Sequence, residues 1–515
     1  MSTFEVSASH RQIASLLLVL GTGTAVAALA TRVRVPYNAA LVVVGLALVV
    51  LGVLPRGSLD PDLVLSGFLP VLVFEGAWLA DAGALRGVAR PVVALALPGV
   101  AISLLGTAAL AWLLLSLPFT IALLLGALLA ITDTVSVLLA FRSARVPRAL
   151  SAIMEGESLF NDGTALVLVG VLTTVAVTGA VSPMAAARDL LLAIAGGLAL
   201  GAAMGLVGAA VLRAMPDHLT ATLASVVLVF ATSTVAERVH ASPIIAVVLL
   251  GLFVGHSARR HLEPSRRLAL EGFWETAGFA LNVVLFLLVG LRIDGAELVA
   301  EAGPIAVATV ALHVGRALAV YGSFGVFGRL LGDRMPLRFQ HVMVLGNIKG
   351  ALSMAAVLAL PESLPEKPRL VAIVFGATFM TLVTQAIPFR RALAWLGVIV
   401  PQSDVTLERA KAVLVAARRT GTDADELLET GLLSRSEHAR RRAEAQRRIL
   451  EAEQIVRRDG NGTQATQLDI ALLESAKSAV LDAARRGLVT REAAEEEAER
   501  LDHQRVVLTT RKELS

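Results

Sequence analysis

From residue 11 to about residue 396 the chain alternates long apolar runs with short polar breaks, a pattern set by a bilayer rather than by a soluble core. A helix needs about 20 mostly apolar residues to cross the hydrocarbon. On that measure the sequence predicts about thirteen spans, near residues 11–31, 37–54, 62–80, 91–115, 118–140, 150–178, 186–212, 219–237, 242–257, 270–291, 302–325, 337–360 and 369–396. The loops are short, so their basic residues can orient the chain. One alternating set of loops carries roughly fifteen, among them Arg32, Arg34, Arg86, Arg90, Arg145, Arg259, Arg260 and Arg334, against roughly six in the other, Arg56, Arg188, Arg238, Arg292, Lys367 and Arg369. The positive-inside rule then puts the N-terminus outside and the C-terminus in the cytoplasm, and the alternation supports an odd number of spans. The polar opening stretch runs into the first span without a small-residue cleavage site, which reads as a retained N-terminus.

Past Trp395 the pattern changes to Arg, Glu, Ala and Leu in helical spacing, with breaks expected at Gly421, Gly431, Gly460-Asn461-Gly462 and Gly487. The expected division is a membrane domain over 1–396 and a cytoplasmic helical tail over 397–515. Gly431-Leu432-Leu433-Ser434-Arg435 is echoed by Gly487-Leu488-Val489-Thr490-Arg491, and Ser434 with Glu437 has capping-box spacing. Two similar helix starts are the plain reading, and a regulatory or dimer-stabilising tail is the other.

Composition agrees with the pattern: of 515 residues 56% are hydrophobic and 17% charged, with mean hydropathy +0.72, outside the soluble range. The formal charge is only +4 although the pI is about 9.8, so basic character is a matter of placement and nucleic acid is not the expected partner. With no cysteine in the chain there are no disulfides or thiolate metal sites.

Ionisable side chains inside a span are expensive, which makes them functional candidates. The densest set is Glu155-Gly156-Glu157-Ser158-Leu159-Phe160-Asn161-Asp162-Gly163-Thr164, at the start of the sixth span. On a helix Ser158 shares a face with Asp162 and Glu157 one with Asn161, so the Glu157 and Asp162 carboxylates diverge. An interfacial loop is the competing reading, but the apolar run after Asp162 places it deep in the membrane. Two further interruptions, Ile131-Thr132-Asp133-Thr134-Val135-Ser136 and Leu345-Gly346-Asn347-Ile348-Lys349-Gly350, fall in the fifth and twelfth spans, which run in opposite directions. Unwound backbone there can offer carbonyls and half-helix dipoles to an ion, as in inverted-repeat transporters. Lys349 needs a counter-ion, and Glu157 is the first choice; Arg316, one turn after His313, is a second buried cation whose partner the sequence does not name. Glu75, Glu237 and Glu275 lie in or at the ends of spans, where structural pairing is the commoner role.

At these residues the chain resembles the sodium/proton exchangers of the cation:proton antiporter-1 type. Phe68-Leu69-Pro70-Val71-Leu72-Val73-Phe74-Glu75-Gly76-Ala77-Trp78 is similar to that family's LPPLLFEAAW stretch, and Glu155 to Gly163 to its EGES-x-x-NDG signature. Ala236-Glu237-Arg238-Val239-His240-Ala241-Ser242, Phe273-Trp274-Glu275 and Asn282 also follow the family pattern. The resemblance implies an all-α integral membrane fold of about thirteen helices, with inverted repeats, crossed broken helices, a dimerisation domain and a mobile core. It implies that cation and proton compete for Asp162, that Ser158, Thr132, Asp133 and Glu157 line or support the site, and that Asp162, Ser158 and Thr132 contact the cation. Asn161, Lys349 and Arg316 are supporting residues. Two departures stand out: Thr134 where the family has proline, and Lys349 where it has arginine, which gives up planar two-pronged pairing.

The resulting expectation is a secondary antiporter of the plasma membrane, a homodimer among lipids, that exchanges sodium or potassium for protons one for one and needs no cofactor. Alternatives are a proton-coupled carrier of another small solute and a membrane sensor or channel with a soluble output tail. An enzyme is not expected: no nucleophile elbow, zinc-ligand spacing or phosphate loop is present, and Gly21-Thr22-Gly23 reads as helix packing.

Overall fold

The computed structural model describes residues 8–33, 35–53, 61–179, 183–331, 335–399 and 402–459, with isolated residues between 480 and 501. Among them every regular element is helical. The chain forms two units, Met1–Ile399 and Val400–Ser515.

In the first unit α1 (Ala8–Val33) and α2 (Tyr37–Val50) are followed by a π-helical turn, Leu63–Phe68, that leads into α3 (Leu69–Leu79). The short α4 (Ala82–Gly87) precedes α5 (Ala89–Ala94), which continues through a second π turn, Leu95–Gly99, into α6 (Val100–Leu115). Then come α7 (Phe119–Ala130), α8 (Thr134–Ala144), α9 (Arg148–Thr178), α10 (Pro183–Ala214), α11 (His218–Arg238), α12 (Pro243–His261) and α13 (Pro264–Arg292). The unit ends with α14 (Gly295–Ala300), α15 (Ala302–Leu331), α16 (Leu337–Leu345), α17 (Ala351–Leu358), α18 (Lys367–Thr381), a third π turn at Leu382–Ala386, and α19 (Phe389–Trp395). Among the described residues eight helical runs are long and apolar enough to cross a bilayer, and Leu17–Ala30, Tyr37–Val50, Leu63–Leu79 and Phe119–Ala130 are shorter apolar helices. Leu113, Leu191, Leu206 and Leu223 are more than half exposed, as side chains facing lipid should be.

Every π turn has a proline within or two residues beyond it: Pro70, Pro98 and Pro388. Proline removes a backbone donor and crowds the carbonyl four residues back, and a widened turn absorbs both. The run expected over 369–396 is therefore interrupted at Pro388 rather than continuous. Helices pack in two neighbourhoods, one of α1, α2, α3 and α10 to α13, the other of α6, α7, α9, α15 and α18. In the second, a Cβ on Gly315 would lie 2.5 Å from Ser103 O, so only glycine lets α15 approach α6 this closely, and that approach seats the next residue, Arg316.

In the second unit α20 (Gln402–Glu429) and α21 (Arg435–Asp459) form an antiparallel hairpin, closed by Gly431 at φ +74°. Ser434 Oγ accepts from Glu437 N at 3.2 Å, which caps α21. The break expected at Gly421 does not occur: α20 runs through it, because packing against α21 outweighs the roughly 1 kcal/mol helix penalty of one glycine. Gly460-Asn461-Gly462 and the repeat that starts at Gly487 lie outside the described residues.

Candidate functional site

Both polar interruptions are real breaks. α7 stops at Ala130, Ile131 is extended and residues 131–133 are non-helical before α8; α16 stops at Leu345 and the chain is unwound through Gly350, which has φ −128° and ψ −171°. The two unwound segments cross. Asp133 N donates to Ile348 O at 2.7 Å, and Ser353 Oγ donates to Ile131 O at 3.4 Å. A Cβ on Gly350 would sit 2.7 Å from Asp133 Cβ, so the crossing requires glycine there.

Side chains satisfy the backbone groups that the breaks expose, as a low-dielectric interior demands. Asn161 Nδ2 donates to Ala130 O at 3.0 Å and to Thr132 Oγ1 at 3.2 Å. Arg316 Nε donates to Met343 O at 3.1 Å. Thr381 Oγ1 accepts from Lys349 N at 3.0 Å, and from within the break Asn347 Nδ2 reaches Leu312 O on α15 at 3.2 Å.

The ion pairing differs from the sequence expectation. Glu157, 2% exposed, is bound by Arg316, 5% exposed, through both guanidinium nitrogens, Nη2 to Oε2 at 2.7 Å and Nη1 to Oε1. Lys349 is not its counter-ion. Lys349 Nζ instead donates to Asn347 Oδ1 at 2.7 Å. The planar fork of arginine meets both carboxylate oxygens at once while holding the end of α16 with its third nitrogen, and an ammonium has no such geometry. Arg316 thereby acquires the partner that the sequence left unnamed.

Asp162 lies near the middle of the 31-residue α9. The Thr132 backbone N–H is directed at its carboxyl. Its Oδ1 is buried and has no hydrogen-bond partner among the described residues, and the same holds for Asn161 Oδ1. Asp133, Glu157 and Lys349 are close enough to act on Asp162 electrostatically. Beside these groups is a cavity of about 10 Å³, lined by Thr132, Asp133, Val137, Met154, Glu157, Ser158, Arg316 and Gly346. That is roughly one water's worth of space. Asp162 does not line it.

The structure thus brings Thr132, Asp133, Glu157, Ser158, Asn161, Asp162, Arg316 and Lys349 to one crossing point. Glu237 and Glu275 are exposed, and the Glu75 carboxyl packs against Gly278 instead. For Thr134 only the backbone, at the start of α8, is described. Sequence reasoning missed Asn38. It is wholly buried on α2, its Nδ2 donating to Ser136 Oγ at 3.2 Å and to Asp133 Oδ2 at 3.5 Å, while Ser136 Oγ donates to the same Oδ2 at 2.5 Å. The signal was present: an amide inside the apolar run over 37–54.

The profile of the transmembrane sodium/hydrogen exchanger family matches residues 16–395. The Na(+)/H(+) antiporter NhaS2 of Synechocystis is 35% identical over 450 residues, 86% of this chain and 82% of that protein. NhaG, a Na(+)/H(+) antiporter of Bacillus atrophaeus, is 31% identical over 387 residues, 72% of this chain and 73% of its own length. Among solved structures, the sodium proton antiporter MjNhaP1 from Methanocaldococcus jannaschii superposes with a TM-score of 0.64 at 20% identity, covering 75% of this chain and 97% of that one.

Proposed function

The chain belongs to the transmembrane sodium/hydrogen exchanger family, and from that membership we propose that it exchanges a monovalent cation, sodium or potassium, for protons, one for one, at Asp162. The protein is a transporter of the membrane and not an enzyme. The observation that carries the site is Asp162 Oδ1, a carboxylate oxygen at mid-helix, buried and without a donor among the described residues. Such an oxygen is costly to leave bare. A proton or a cation stripped of water satisfies it, and one carboxylate cannot hold both.

Thr132 and Ser158 would supply the neutral oxygens that replace lost hydration, and the caps from Asn161 and Arg316 keep the unwound carbonyls in place. Glu157 serves as the fixed anion of Arg316 rather than as a carrier. One-for-one exchange follows because Asn161, an amide, stands where electrogenic relatives of this fold carry a second acid. We place the protein in the plasma membrane as a thirteen-span homodimer, N-terminus outside, with residues 1–396 as the antiporter domain and 397–515 as a cytoplasmic tail. Alternating access requires the crossed segments to face each side in turn.

Proteoliposomes loaded with a pH-sensitive dye test this directly, with lithium, sodium, potassium and rubidium compared over a range of pH. Cation-dependent proton flux is expected from the wild type, and none from Asp162→Asn that still elutes as a folded species. Exchange retained in that variant would move the site elsewhere, and a membrane potential generated by transport would exclude the one-for-one ratio.

A further inference from the structure

The third π turn, Leu382–Ala386, lies apart from the carboxylates of the crossing, yet it holds Gln385 between His313 and the second helix break. His313, half-buried on α15, has Nδ1 at 2.6 Å from Thr309 O. A carbonyl only accepts, so Nδ1 carries a proton in either charge state of the ring. The Nε2 atom meets the side-chain amide of Gln385. The other arm of that amide lies 3.2 Å from Leu345 O and 3.3 Å from Asn347 O. Both carbonyls belong to the break, and the Asn347 side chain is the one that receives Lys349 Nζ.

An amide donates from one arm and accepts on the other, so the protonation of His313 decides which way Gln385 faces. With His313 neutral, Nε2 is an acceptor, the Gln385 nitrogen must turn toward it, and the Gln385 oxygen then confronts two carbonyl oxygens. A second proton makes Nε2–H a donor. The amide turns over, its oxygen accepts from the imidazolium, and its nitrogen donates to both Leu345 O and Asn347 O. We propose that His313 and Gln385 are positioning residues that fasten the unwound segment of the second broken helix when His313 is protonated and release it when it is not. The geometry around Lys349 is thereby tied to proton concentration, separately from the proton carried at Asp162.

The charged or titratable groups on elements packed against α15 are Arg90 on α5, Glu297 on α14, Arg338 and His341 on α16, Lys367 and Arg369 on α18, and Lys349 in the break. Of these, among the described residues, Lys349 is the one whose charge reaches His313. On α15 itself Arg316 is compensated by Glu157. The widened turn before Pro388 supplies the placement, since it carries Gln385 beside the end of α16.

The inference rests on the exchange reading only for its effect on transport, so the test begins with a readout of the segment itself. Hydrogen exchange of peptides spanning 340–352, corrected for intrinsic rates, is measured across neutral pH in wild type, His313→Gln and Gln385→Met. Protection in the wild type should fall as pH rises by about tenfold in opening equilibrium, the size of two modest hydrogen bonds. It should be flat in either variant and no different in the double variant. Should Gln385→Met fail to fold, Gln385→Glu, which accepts from His313 and cannot donate to the carbonyls, should be loosened at all pH values. In proteoliposomes the ratio of initial rates at low and high pH should change by a similar factor in both single variants. Protection independent of pH in the wild type, or still pH-dependent in His313→Gln or Gln385→Met, would overturn the proposal. A wild type that exchanges no ions would instead sink the exchange reading and leave the hydrogen-exchange result to decide this one.

Discussion

Replacing Arg316 with methionine should destabilise the membrane unit far more than the loss of one surface charge would. The side chains of Arg316 and Glu157 are 6% and 3% exposed, and the arginine also holds Met343 O at 3.1 Å. Removing it leaves a buried carboxylate without a counter-charge and an unpaired carbonyl, and breaking such a pair costs about 3–5 kcal/mol. With an unfolding entropy of about 2.1 cal/mol/K per residue, a unit of this size should lose roughly 4–6 °C in thermal midpoint. Glu157→Gln alone strands the guanidinium and should cost a comparable amount. The double variant leaves neither charge uncompensated, so a coupling of about 2 kcal/mol or more is expected in the cycle. Thermal unfolding in detergent, followed by monodispersity on size exclusion, reads all four corners. Lys349→Met serves as the comparison, because Lys349 contacts Asn347 and not Glu157. Additive costs for Arg316→Met and Glu157→Gln, or stronger coupling of Glu157 to Lys349 than to Arg316, would refute the pairing.

Gly350→Ala should block the crossing of the two broken helices, since its Cβ would meet Asp133 Cβ at 2.7 Å; a monodisperse variant with full transport would show that the crossing yields more easily than the backbone contacts imply. In the tail hairpin, the hydrogen bond from His438 and the charge of Arg442 hold Asp425 below the usual carboxylate range. A depressed value means that the contribution of Asp425 is fully present above its ordinary value of 3.8 and is lost as pH falls from there through the lower native value. Asp425→Asn should therefore raise hydrogen exchange across 418–445 at neutral pH, with the difference from wild type vanishing in strong acid.

The apolar periodicity carried most of the fold, because a bilayer imposes a length on each helix and leaves few alternatives for the backbone. The breaks were legible for the same reason: Thr132-Asp133 and Asn347-Ile348-Lys349-Gly350 sit where an unbroken helix would have no use for them. What the sequence could not supply was which buried charge meets which. Lys349 and Arg316 are equivalent as isolated cations in a span, and only the crossing distance and the shape of the guanidinium assign Glu157 to Arg316. Asn38 escaped because one amide in an apolar run looks like an ordinary packed residue, and its worth lies in a partner 95 positions away. Gly421 failed the other way, where local propensity pointed to a break and tertiary packing overrode it.

The five ionisable groups at the crossing, counted in their charged forms, set a condition on what can occupy it. Asp133, Glu157 and Asp162 oppose Arg316 and Lys349, so three carboxylates face two cations and one negative charge is left over. Glu157 and Arg316 cancel at contact distance, and Lys349 offsets one of the two aspartates. A single proton or a single bare cation brings the set to neutrality, whereas an empty site or a doubly loaded one carries net charge through a low-dielectric interior at a cost of several kcal/mol. Under the proposed exchange the two permitted loads are therefore equal in charge, and the step that reorients the site moves no net charge with either. Lys349→Gln would leave the crossing one charge more negative, so a single load would no longer neutralise it. Transport by that variant should become sensitive to membrane potential, and an unchanged, potential-independent rate would show that Lys349 takes no part in the balance.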